Sequence, residues 1–103
     1  MIALIDDDRP AIEDLCRRYG VARLEVFGSA ADGTFDAQTS DLDFLVTFAP
    51  PQEEMDAADQ YFGLLFDLEA LFGRRPDLVC AEAMRNPYFI RSVNAGRRVL
   101  YAA

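Results

Sequence analysis

Apolar side chains along this chain recur in two rhythms, one helical and one extended. Ile12, Leu15, Cys16 and Tyr19 fall at helical spacing behind Asp7, Asp8 and Pro10, and Gly20 follows them. This predicts a helix capped by Asp7 or Asp8, with proline in its first turn and glycine at its end. Residues 22–27 alternate apolar and charged side chains and predict a strand that stops at Gly28. Residues 29–40 are small and polar and predict a loop that opens with a helical turn at Ser29. Residues 42–48, Leu-Asp-Phe-Leu-Val-Thr-Phe, predict a second strand, buried on both faces beyond Asp43 and ended by Pro50-Pro51.

The longest helix is predicted over about Gln52 to Phe72, with Met55, Ala58, Phe62, Leu65, Leu68 or Glu69, and Phe72 on one face and Gly73 as its stop. Tyr61, Phe62, Phe66 and Phe72 are expected in the core, and any exposed part of that helix would be a partner interface. Gly63, a weak helix former, is expected to allow a close approach to the sheet. Asp77-Leu78-Val79-Cys80 follows Pro76 as a short strand. Asn86-Pro87 supplies an N-cap and first-turn pair for a last helix to about Ala95, with Phe89, Ile90 and Val93 inward. Val99-Leu100-Tyr101 closes the chain as a strand. The alternation of helices and strands predicts an α/β (α+β) class, and 103 residues with half of them apolar fit one domain, 1–103.

Composition narrows the chemistry. The formal net charge is −8, and every one of the ten basic residues is arginine; histidine, lysine and tryptophan are absent. Without histidine there is no Ser-His-Asp or Cys-His machinery. Without lysine there is no P-loop and no Schiff base. Carboxylates, metal and backbone amides remain. An acidic chain lacks the basic footprint that duplex nucleic acid requires. Cys16 and Cys80 read as small buried hydrophobes, with no zinc spacing. Ile2-Ala3-Leu4-Ile5 is too short for a signal segment and runs into Asp6-Asp7-Asp8, and no stretch approaches the length of a membrane span, so a cytoplasmic protein is expected. The three aspartates themselves are expected as a solvated helix N-terminus, and Arg74-Arg75 as a solvated helix-end pair.

Asp41 and Asp43 carry the strongest chemical signal. Strand residues i and i+2 project to one face, so two carboxylates point at one spot ahead of an apolar run. Such a pair is costly unless a proton or cation lies between its members, and Mg2+, a hard ion, prefers oxygen ligands. If the 77–80 strand lies beside the 42–48 strand, Asp77 joins them. Three carboxylates then suit the two-metal arrangement that phosphoryl and nucleotidyl transfer use. Gly28-Ser29 offers backbone N–H groups and a hydroxyl to phosphate oxygens.

Gly-Ser, a spacer, then Asp-x-Asp ahead of an apolar strand resembles the DNA-polymerase-beta-like nucleotidyltransferase superfamily. Pro76-Asp77-Leu78-Val79 and the ending Arg98-Val99-Leu100-Tyr101 are similar to its minimal members. The resemblance implies a small mixed sheet of about four strands flanked by helices, and Mg2+-dependent transfer of a nucleotide from ATP. It implies Asp41, Asp43 and Asp77 as metal ligands, Asp77 also as general base, and Gly28 with Ser29 as the phosphate-binding pair. It further implies an antitoxin of a two-gene system that adenylylates a tyrosine of a HEPN-type RNase toxin. The alternative is an antitoxin that neutralises its toxin by binding alone. The chain departs from the family pattern in two ways. Eleven residues, Ala30 to Ser40, separate Ser29 from Asp41 where ten are usual, and Ala30 and Asp32 stand where the family often has arginines.

Overall fold

The computed structural model describes residues 3–32, 36, 38, 40–52 and 54–103, the side chains of Ala3 and Asp32 apart. Its elements are α1 (Ala3–Asp7), α2 (Arg9–Arg18), β1 (Val21–Phe27), α3 (Ser29–Asp32), β2 (Asp43–Phe48), α4 (Ala57–Phe72), β3 (Asp77–Cys80), α5 (Pro87–Asn94) and β4 (Arg98–Ala102), with a 3-10 turn at Ala81–Ala83. The strands form one mixed sheet in the order β3-β2-β1-β4. β1 pairs antiparallel with β2 and β4, and β2 pairs parallel with β3. The four-stranded mixed sheet flanked by helices is therefore present, and from α2 onward the elements follow the order read from the sequence.

Alternation along the strands divides the core in two. Leu24, Val26, Phe44 and Val46 face Ile5, Ile12, Cys16, Leu64, Leu65 and Leu68, so α1, α2 and α4 cover this side. Phe27 and Leu45 face the other way, onto Val93 of α5, with Val79, Ala81 and Met84 around them. β2 is buried on both faces at Phe44, Leu45 and Val46, as its continuous apolar run predicts. β1 behaves differently from its amphipathic pattern. Glu25 is buried, held between Arg23 Nε at 3.0 Å and Arg97 Nε at 3.1 Å. A buried carboxylate needs such partners; Arg23 stands two residues before it on β1, and Arg97 just ahead of β4.

Four local expectations are corrected. A short helix, α1, precedes the predicted one, and it puts Ile5 fully in the core; Asp6 and Asp7 lie in α1 and Asp8 sits at the N-cap of α2 without a side-chain cap bond. α4 begins at Ala57 and not at Gln52, because Asp56 and Asp59 close a reciprocal capping box, Asp59 N–H to Asp56 Oδ1 at 2.8 Å and Asp56 N–H to Asp59 Oδ2 at 3.2 Å. The buried stripe of α4 is Gln60, Leu64, Leu65 and Leu68, which turns Phe62 and Phe66 outward; they are 50% and 53% exposed and stack on each other at 6.1 Å. Gln60 sets this rotation by donating to the carbonyls of Tyr19 and Ala49.

Gly63 does permit a close approach, but of Tyr19, the C-cap of α2, and not of the sheet. A Cβ at position 63 would overlap the Tyr19 ring. That ring is pinned by its hydroxyl, which donates to Asp67 Oδ2 at 2.5 Å. Gly63→Ala is therefore expected to lower stability. The gain of about 1 kcal/mol in helix propensity is outweighed by overpacking of about 1–3 kcal/mol, and the denaturant midpoint should fall. A raised midpoint would show that Tyr19 is free to move.

Candidate active site

The site forms where β1 ends and β2 and β3 begin. Gly28 leaves β1 with φ +69°, a left-handed conformation that favours glycine, and turns the chain into α3. Ala31 N–H closes that turn onto the Gly28 carbonyl at 3.1 Å, while Ala30 and Ala31 are buried beneath it. Ser29 is the first residue of α3. Arg98, at the start of β4, donates from Nε to the Ala31 carbonyl at 3.1 Å and ties the turn to the sheet edge. The Asp32 side chain and Gly33 lie outside the described residues.

The chain re-enters the sheet through a local turn in which Asp36 N–H donates to Ser40 Oγ at 2.9 Å and Ser40 N–H to the Asp36 carbonyl at 2.8 Å. Leu42 is fully buried and anchors the strand entry, so Asp41 and Asp43 flank it on the opposite side. Asp77 N–H donates to the Leu42 carbonyl at 2.8 Å, and Asp43 and Asp77 are direct register partners across the parallel pair. On the other side Phe27 is the register partner of Asp43. One row across the sheet thus reads Asp77, Asp43, Phe27, on the face that α5 partly covers.

Asp43 is half-buried, whereas Asp41 and Asp77 are exposed. Burial, then the charges of Asp77 and Asp41 and a hydrogen bond with Asp77, push the Asp43 carboxyl from 3.8 up to about 6. Asp77 and Asp41 therefore both act on Asp43. Gly28 borders Asp43 directly, since a Cβ there would stand 2.7 Å from Asp43 Oδ2. Among the described residues no group of three cysteines or carboxylates already encloses a point where a metal ion could sit. The donor set is nonetheless all hard oxygen, with Asp41 and Asp77 open to solvent beside the strained Asp43, which suits Mg2+.

Two residues at the site were read differently from the sequence. Arg74, expected as a solvated helix-end residue, is half-buried and donates from Nη1 to the Ser40 carbonyl at 3.0 Å, bracing the approach to Asp41. Arg75 does pair outward, with Glu69 at 2.8 Å. Phe27 looked like an ordinary strand end, and only the register places it beside Asp43. No sequence signal gives that register.

A Gly-Ser turn beside a carboxylate pair, on a four-stranded mixed sheet, is the arrangement of a nucleotidyl-transferring class of protein. The chain belongs to the nucleotidyltransferase domain family, whose model matches residues 9–100, and it is a nucleotidyltransferase. It is 30% identical over 76 residues, 74% of this chain and 73% of the relative, to a provisionally named protein adenylyltransferase of Methanocaldococcus jannaschii. It is also similar to the solved structure of a provisionally named minimal nucleotidyltransferase, with TM-score 0.73, 33% identity, and 94% and 95% of the two chains covered. Two toxin–antitoxin structures share the fold. One is a complex with AMP-PNP (TM-score 0.69, 21% identity, 93% and 74% covered). The other is a tri-AMPylated Shewanella oneidensis HEPN toxin with its MNT antitoxin (TM-score 0.63, 19% identity, 95% and 72% covered).

Proposed function

We propose that this chain is a Mg2+-dependent minimal nucleotidyltransferase acting as a cytoplasmic antitoxin, which transfers AMP from ATP to a tyrosine hydroxyl of a HEPN-type RNase toxin. The observation that carries this reading is the pairing of Asp43 with Asp77 across two parallel strands, with Asp41 felt by Asp43 and Gly28 against it. The similar toxin–antitoxin assemblies support the partner, and the M. jannaschii relative supports adenylylation of a protein.

Asp41, Asp43 and Asp77 would hold Mg2+, which when bound offsets triphosphate charge and lowers the pKa of the attacking hydroxyl. Gly28 and Ser29 present backbone N–H groups at the start of α3, and the Ser29 hydroxyl adds a donor for phosphate oxygens. The acceptor hydroxyl oxygen forms a bond to the α-phosphorus while the bond from that phosphorus to the bridging oxygen breaks, and pyrophosphate leaves. Asp77, exposed at the rim, accepts the hydroxyl proton. Partner binding completes the acceptor side, where Asp41 and Asp77 lie open to solvent.

A binding-only antitoxin is the second reading. Ala30 favours it, because a fully buried alanine presents no cation to a triphosphate. The double substitution Asp41→Asn with Asp43→Asn separates the two. It is expected to abolish transfer and leave partner binding intact. Full protection of cells from the partner by this variant would rule out catalysis as the mechanism.

A further inference from the structure

The turn and the carboxylates account for the phosphates of a nucleotide and leave its base without a surface. Among the described residues, the large exposed apolar side chains are Phe62, Phe66, Tyr88, Phe89 and Val99. Phe62 and Phe66 belong to α4, which packs on the opposite face of the sheet from Asp43. Phe89 belongs to α5, on the same face as Asp43. Its ring meets that of Phe27 edge to face, centroids 6.0 Å apart and planes at 87°. Phe27 is itself nearly buried and is the register partner of Asp43. Phe89 is therefore fixed one ring away from the carboxylate row, yet 38% of it is open to solvent. It stands in the first turn of α5, where Asn86 Oδ1 accepts from the N–H groups of Tyr88 and Phe89 at 2.9 and 3.4 Å and holds that turn in place.

We propose that Phe89, backed by Phe27, is the platform on which the base of the bound nucleotide stacks. The inference rests on the nucleotide site proposed above. A flat aromatic face accepts any nucleobase, and such stacking contributes about 1–3 kcal/mol by alanine substitution, or roughly 5- to 150-fold in affinity. Phe89 in this role sets the preference for a nucleotide over bare polyphosphate. It is a specificity residue and takes no part in the chemistry.

The test compares Mg·ATP with Mg·tripolyphosphate by calorimetry on the full chain. Phe89→Leu keeps apolar volume against Phe27 and removes the π face. It is expected to weaken ATP about tenfold and leave tripolyphosphate within twofold of wild type. Because the chain has no tryptophan, Phe89→Trp introduces a single reporter whose emission ATP should quench and tripolyphosphate should not. Equal weakening of both ligands by Phe89→Leu would show that Phe89 only props Phe27, and overturns the platform. Unchanged ATP affinity, or no quenching by ATP, overturns it as well. If wild type binds neither ligand, the nucleotide site falls and the platform falls with it.

Discussion

Asp43→Asn is expected to raise the melting temperature of the ligand-free protein at pH 7.5 while reducing nucleotide transfer on the order of 10³-fold or more. In the folded chain the Asp43 carboxyl is raised to about 6 from an ordinary 3.8, by burial and then by Asp77 and Asp41. A carboxyl raised on folding costs stability where it is ionised. The cost is absent below about pH 4, where both states are protonated, grows between about 4 and 6, and is fully present above 6. Asp43 is only half-buried, so solvent screening discounts the cost to about 1 kcal/mol, or roughly 4–8 °C for a chain of this size. The stability advantage of Asn should vanish at pH 3.5. Mg2+ should raise the melting temperature of wild type and have little effect on the variant, because it relieves the repulsion that Asn has already removed. Transfer by wild type should climb as pH rises through about 6. A variant less stable than wild type at pH 7.5 would mean that Asp43 is satisfied within the fold and that no cation site is strained there.

Gly28→Ala is expected to reduce transfer by at least about 10²-fold with a smaller loss of stability. The substitution forces alanine into φ +69°, at about 1–2 kcal/mol. Its Cβ would stand 2.7 Å from Asp43 Oδ2, so the short aspartate side chain must swing away. Displacing a reacting group by about 1 Å can cost on the order of 10²-fold. The loss should fall mainly in kcat, with circular dichroism unchanged. A variant with wild-type kcat would place the chemistry away from the β1–α3 turn.

Sequence pattern was most informative where one physical cause dominated. The apolar run of β2 exposed its burial on both faces, Asn86-Pro87 marked the start of α5, and Asp41 with Asp43 stood out because aspartate is disfavoured in strands. Gly28 and Ser29 were legible as a turn. What pattern could not supply was anything set by contacts across the sheet. The buried Glu25 depends on Arg97, seventy-two positions away, and Phe27 acquires its place beside Asp43 only through register. The rotation of α4 was misjudged because its apolar residues nearly encircle the helix, and Gln60, a polar residue, decides which face turns inward. The capping box of α4 was missed because its partner is Asp59 where Glu or Gln is usual.

Intact mass spectrometry after incubating the purified chain with Mg2+, α-labelled ATP and a HEPN-type partner decides whether the chain transfers AMP to a protein. The partner is expected to gain the mass of one or more AMP units, and Asp41→Asn to abolish the gain. A tight stoichiometric complex whose partner gains no mass would contradict that expectation, and would leave a binding antitoxin that keeps the nucleotidyltransferase fold.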